Sequence, residues 1–244
     1  MSLMITFLLG LFYMIGDAVI KLAKNSEWIE QLSVSLAFGA MTALVLLELL
    51  PDIMTGFGRD HTIISIAAIL LGIGGLKVLD LFIPDHDGDL ETATKDHHDN
   101  MVHIGIISAI AIILHNTVEG MTVYSLTLES IHQGALLSLG VGLHNIPMGM
   151  LIYASLEDEK RSKRYLILSL ASLSTFFGGL LMTLISPLLN EFVVSVLVCI
   201  ALGMILYIVF FELVPDLLRR KHWTLSLVGT VAGVLILVVS TLME

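Results

Sequence analysis

Charge is scarce in this 244-residue chain: Asp, Glu, Lys and Arg make up 14% of it, against 56% apolar residues and a mean hydropathy of +0.93. A water-soluble domain carries about 25% charged residues, so that class is excluded and an integral membrane protein is indicated. Cysteine is almost missing. The single Cys199 rules out an intramolecular disulfide and is expected to pack as a small apolar residue. Proline occurs only five times, so each proline inside an apolar run marks a helix that loses a backbone donor. No nucleotide-binding motif and no His-Glu-x-x-His helix is present. No nucleic-acid partner and no resident cofactor is expected.

What the chain has instead is long apolar runs. A membrane span needs about 20 mainly apolar residues, which predicts eight helices near 3–22, 30–54, 62–84, 101–127, 132–156, 165–187, 191–215 and 223–243. Continuous runs exclude the alternation of a transmembrane barrel. The predicted fold is an all-α membrane protein, one transmembrane domain over 1–244 with the bilayer as partner. Helix numbers below follow this order. Ten of the twelve Lys and Arg residues fall in alternate loops: Lys21 and Lys24, Lys95, Lys160, Arg161, Lys163 and Arg164, then Arg219, Arg220 and Lys221. Positive charge stays cytoplasmic. This predicts a multi-pass protein of the cell membrane with both termini outside and the 85–100 loop in the cytoplasm.

Two patterns repeat. Glu48-Leu49-Leu50-Pro51-Asp52 near the end of helix 2 returns as Glu212-Leu213-Val214-Pro215-Asp216 near the end of helix 7. The copies lie five helices apart, and an odd shift inverts topology, so helices 1–3 and 6–8 read as inverted repeats flanking helices 4 and 5, a 3+2+3 layout. Pro51, Pro147 and Pro215 should free the carbonyls of Leu47, Leu143 and Phe211; the alternative for Pro51 and Pro215 is that they simply end their helices. The second pattern is His115-Asn116-Thr117-Val118-Glu119-Gly120, answered 29 positions later by His144-Asn145-Ile146-Pro147-Met148-Gly149.

Ionisable groups at mid-membrane depth are costly and need a partner, and a cation is the obvious one. His115 and Glu119 stand at i, i+4 and project from one helix face, with Asn116 beside them. His144 and Met148 repeat that spacing on helix 5, with Asn145 alongside. Imidazole with carboxylate suits zinc, iron or manganese. Thioether is soft, so Met148 either packs or shifts selection toward Cu(I). Gly120 and Gly149 are expected to let helices 4 and 5 approach closely. The bland reading is that each His bonds a neighbouring helix and Glu119 is a neutral structural acid. Glu48 and Asp52 would serve as entrance carboxylates, Glu212 and Asp216 as exit carboxylates, interfacial solvation being the alternative, above all for the two Asp. Asp17 has no assignable partner, and Asp80 is explained by an ion pair with Lys77 three residues earlier.

These motifs, with a His-rich loop before helix 4, make the whole chain resemble the ZIP family of divalent-metal transporters. The resemblance implies the 3+2+3 arrangement, uptake of zinc or a related first-row metal toward the cytoplasm, and a site between helices 4 and 5. It implies His115, Asn116 and Glu119 as ligands on helix 4, and His144 and Asn145 on helix 5. Two departures stand out. Met148 replaces a glutamate common in the family, and where helix 6 commonly supplies another, this chain offers Thr175 in Thr175-Phe176-Phe177-Gly178. With Glu119 as the sole central carboxylate, two divalent ions at ~4 Å would repel strongly, so one ion or none is expected.

The segment 85–100 carries His86, His97 and His98 among six acids and reads either as a metal-capturing loop or as a solvated one. A metal sensor without transport and an intramembrane metal-dependent hydrolase stay open beside transport of Zn2+, with Fe2+, Mn2+ or Cu+ as alternatives. A homodimer is an allowed assembly.

Overall fold

The computed structural model describes residues 1–22, 27–56, 61–81, 93–157, 159–185, 191–220 and 222–242. Among them are eight helices long and apolar enough to cross a membrane: α1 Ser2–Leu22, α2 Trp28–Thr55, α3 Thr62–Asp80, α4 Met101–Leu128, α5 Ile131–Ser155, α6 Arg161–Ile185, α7 Phe192–Arg219 and α8 Trp223–Thr241. No strand occurs among the described residues. Lipid offers no hydrogen-bond partners, so the backbone must satisfy itself within each helix. Many hydroxyls do the same: Ser33, Ser35, Thr117, Thr127 and Ser138 each donate to the carbonyl four residues back. Helical backbone ahead of α4 begins at Ala93, so the second half of the 85–100 segment is helix. His86 lies outside the described residues, as do the side chains of His97 and His98.

Small residues decide which helices touch. A Cβ on Gly39 would strike the Thr230 carbonyl and one on Gly233 the Leu36 carbonyl, pinning α2 to α8. Gly72 faces the Ile200 backbone and Gly203 the Ile69 backbone, which pins α3 to α7 in the same reciprocal way. Gly120 and Gly149 do not hold α4 against α5. Gly120 packs on the Thr175 backbone of α6, reciprocated by Gly178 on Thr117, and Gly149 packs on Tyr13 of α1, reciprocated by Gly16 on Ile146. Both glycines bring a third helix up behind the α4–α5 pair.

Both copies of the Glu-Leu-x-Pro-Asp motif take one local form. Each proline is preceded by a π-helical turn, Val45–Leu49 in α2 and Ile208–Leu213 in α7. Leu50 N–H bonds the carbonyl of Val45, and Val214 N–H that of Val209, five residues back in each case. The helices then continue through Leu50–Gly56 and Val214–Arg219. Pro51 and Pro215 therefore widen their helices, and do not end them, at Glu48 and Glu212.

Candidate metal centre

The α4 and α5 motifs meet. His115 and Glu119, one turn apart, face His144 across the α4–α5 contact, and one donor atom from each lies within 4.8 Å of the others. His144 Nε2 stands 3.0 Å from Glu119 Oε1, and His115 Nε2 stands 3.7 Å from the same oxygen. The imidazole centroids are 6.5 Å apart. Tetrahedral zinc with bonds of ~2.0–2.1 Å holds its donors ~3.4 Å apart, so small side-chain rotations close this trio on one ion. All three residues are buried, yet His115 Nε2 and both Glu119 oxygens have no hydrogen-bond partner. A buried carboxylate without donors is costly. A cation between the two helices would remove that cost.

The other implied ligands sit differently. Asn116 is turned about the α4 circumference toward α1 and α6: its Nδ2 donates to Tyr13 Oη at 2.8 Å and to the Ala171 carbonyl at 3.3 Å, while Tyr13 Oη donates to its Oδ1 at 3.2 Å. Thr175 gives its hydroxyl to the Thr6 carbonyl of α1 at 3.0 Å. Asn145 is fully buried, and neither atom of its amide has a hydrogen-bond partner. It lines a small cleft with Met148, Met41, Tyr13, His115 and His144. Met148 is thus next to the trio, but also part of the apolar core.

A cavity of about 230 Å³ runs from His115 and Glu119 toward the α4–α5 connection, walled by Val118, Val123, Leu137, Val141 and Val198, with Glu48 beside it. The side chain of Asp52 lies outside the described residues.

Toward the opposite ends of these helices stands a second group, Asp80 of α3, His103 of α4 and Glu212 of α7. His103 Nε2 lies 2.7 Å from Asp80 Oδ1 and 3.7 Å from Glu212 Oε1. Asp80 therefore has more than its ion pair with Lys77, and His103 is a residue that sequence reasoning missed. Twelve residues of α4 separate His103 from His115, about 18 Å at 1.5 Å per residue. Asp216 is buried rather than solvated at an interface, its Oδ2 2.8 Å from Arg220 Nε. The Arg220 Nη2 reaches Glu30 at 2.7 Å. Burial works against the Arg220 charge, but Asp216 and then Glu30 outweigh it and raise its pKa, so the guanidinium stays charged. Asp17 has a partner too, Lys21 at 2.5 Å.

Comparison with known proteins identifies the family. The chain is 28% identical to the zinc transporter ZupT of Clostridium perfringens, with 100% of this chain and 95% of that protein covered. It is 28% identical to ZupT of Streptococcus mutans, covering 99% and 97%, and 29% identical to ZupT of Chlorobium luteolum, again covering 99% and 97%. Residues 84–241, which include the α4–α5 trio, His103 and the second proline motif, match the ZIP Zinc transporter family model. By that match this multi-pass membrane protein belongs to the ZIP zinc transporter family, a family of transporters and not of enzymes.

Proposed function

We propose that this chain carries zinc, or a related first-row divalent ion, across the cell membrane into the cytoplasm through a single site made by His115, Glu119 and His144. The observation that carries the reading is the buried trio itself, two imidazoles and one carboxylate converging between antiparallel helices with unmet hydrogen bonding at His115 and Glu119. The ion enters by the cavity beside Glu48 and leaves past His103, Asp80 and Glu212. The distribution of basic residues among the loops supports the second cluster lying on the cytoplasmic side with both termini outside. A 3+2+3 plan of inverted repeats is supported by the matching π-helical turns in α2 and α7 and accounts for two-sided access. Asn116 positions α4 on Tyr13 and α6, and the trio with Asn145 and Met148 beside it holds one ion.

The test is uptake by proteoliposomes containing a zinc indicator, comparing wild type with Glu119→Ala and His144→Ala. The expected result is saturable zinc entry in wild type and its loss in both variants. Zinc binding without entry in wild type would overturn transport in favour of sensing, and full activity in both variants would overturn the site.

A further inference from the structure

The inner cluster carries a fixed cation that a simple metal site does not need. Lys77 Nζ lies 2.6 Å from Asp80 Oδ2 and 3.4 Å from the Tyr207 hydroxyl, and that hydroxyl donates to the same Oδ2 at 2.6 Å. Asp80 thus divides its oxygens. Oδ2 is held by Lys77 and Tyr207, while Oδ1 faces His103. A cation taken between Oδ1, His103 and Glu212 need not displace Lys77, because the lysine occupies the other oxygen.

The charge arithmetic follows. Two carboxylates and a neutral imidazole around a divalent ion sum to zero, which in a poorly solvated place is a trap. With Lys77 retained, the filled site is left with one net positive charge. Conduction needs sites favourable enough to enter and weak enough to leave. We infer that Lys77, through its fixed charge on Asp80, sets how fast the transported ion leaves the Asp80, His103 and Glu212 cluster. This role rests on the transport reading above. A purely structural Lys77 would make the opposite forecast, since losing a bond to Asp80 and one to Tyr207 would loosen the cluster and weaken ion binding.

The experiment uses the full chain with the central site disabled by Glu119→Gln and His144→Ala, so that zinc bound in competition with a chelating dye reports the inner cluster. Adding Lys77→Met is expected to tighten that binding by about threefold to tenfold, one charge being removed at close range but partly screened because the Lys77 side chain is 55% exposed. Lys77→Arg, which keeps the charge, is expected to match the parent. Adding His103→Ala to Lys77→Met should abolish the gain. In proteoliposomes with an otherwise wild-type centre, Lys77→Met should lower the maximal zinc uptake rate at saturating zinc, and Lys77→Arg should preserve it. Unchanged or weaker binding in Lys77→Met, or no inner binding in any variant, overturns the inference. Absence of uptake by the wild type overturns the transport reading instead, whatever the binding result.

Discussion

Asn116 and Glu119 lie three residues apart on α4 with different neighbours, and the proposed site gives them different work, which a pair of substitutions separates. Asn116→Ala removes a carboxamide that meets Tyr13 Oη and the Ala171 carbonyl, leaving the fully buried Tyr13 hydroxyl without its amide partner. An orphaned buried polar group costs about 1–3 kcal/mol. For a chain of this size each kcal/mol moves the melting midpoint by about 2–4 °C, so a fall on the order of 5 °C is expected. Zinc affinity should change less than about threefold. Glu119→Gln does the reverse. It strips the only carboxylate from the trio, and breaking a buried charge pairing costs about 3–5 kcal/mol, or roughly 100- to 4,000-fold in Kd at 1.4 kcal/mol per decade. The unfilled protein should melt at a similar temperature, because an amide of nearly the same shape replaces the carboxyl group. Zinc titration by competition with a chelating dye, with thermal melts of the same zinc-free samples, reads both effects. An Asn116→Ala variant that melts normally but loses zinc as severely as Glu119→Gln would refute the assignment and make the amide a ligand.

Three further outcomes follow from the same geometry. Zinc binding should weaken on sufficient acidification, because His115 and His144 must be neutral to coordinate, at a cost of up to about tenfold per pH unit per ligand once protonated; constant zinc occupancy between neutral and acidic buffer would contradict an imidazole site. Gly203→Val should unfold the protein at markedly lower temperature, since a side chain there meets the Ile69 backbone, whereas Gly74→Ala and Gly75→Ala, with nothing within 4 Å, should each stabilise by about 0.5–1 kcal/mol through helix propensity, as read by thermal melts in detergent. Met148→Glu should raise zinc affinity by supplying a second carboxylate one turn from His144, and equal or lower binding in a well-folded variant would show that Met148 only packs.

The spans were legible because lipid leaves the backbone no option but helix, so apolar run length suffices to find them. The His115 and Glu119 pairing was legible because helical periodicity alone puts i and i+4 on one face. What periodicity cannot say is which neighbour that face meets. Asn116 lies only one residue from His115, but the step around the helix carries it to α1, where Tyr13 waits 103 residues away in sequence. Gly120 and Gly149 were correctly marked as contact points and attached to the wrong helices for the same reason. His103 escaped because it belongs to no repeated motif, and its partners Asp80 and Glu212 sit on two other helices. The available signal was weak: Lys77, Asp80 and His103 are polar residues near the two helix ends that flank one loop.

The repeated proline motif and the central trio differ in a way that bears on how many ions the protein holds. Each Glu-Leu-x-Pro-Asp copy puts its proline three residues after a glutamate, and in both copies the glutamate falls within the widened turn. One copy thereby supplies Glu48 to the cavity and the other Glu212 to the cluster at the far end. The α4 and α5 motifs are a pair of a different kind. Both keep His-Asn, but where α4 has Glu119, α5 has Met148, and Thr175 of α6 spends its hydroxyl on Thr6. A centre with one carboxylate and two neutral imidazoles would leave a single divalent ion with one net positive charge, and among the described residues no second carboxylate joins the trio. On the transport reading proposed above, stepwise passage of one ion from Glu48 through Glu119 to Glu212 would meet a glutamate at each stage.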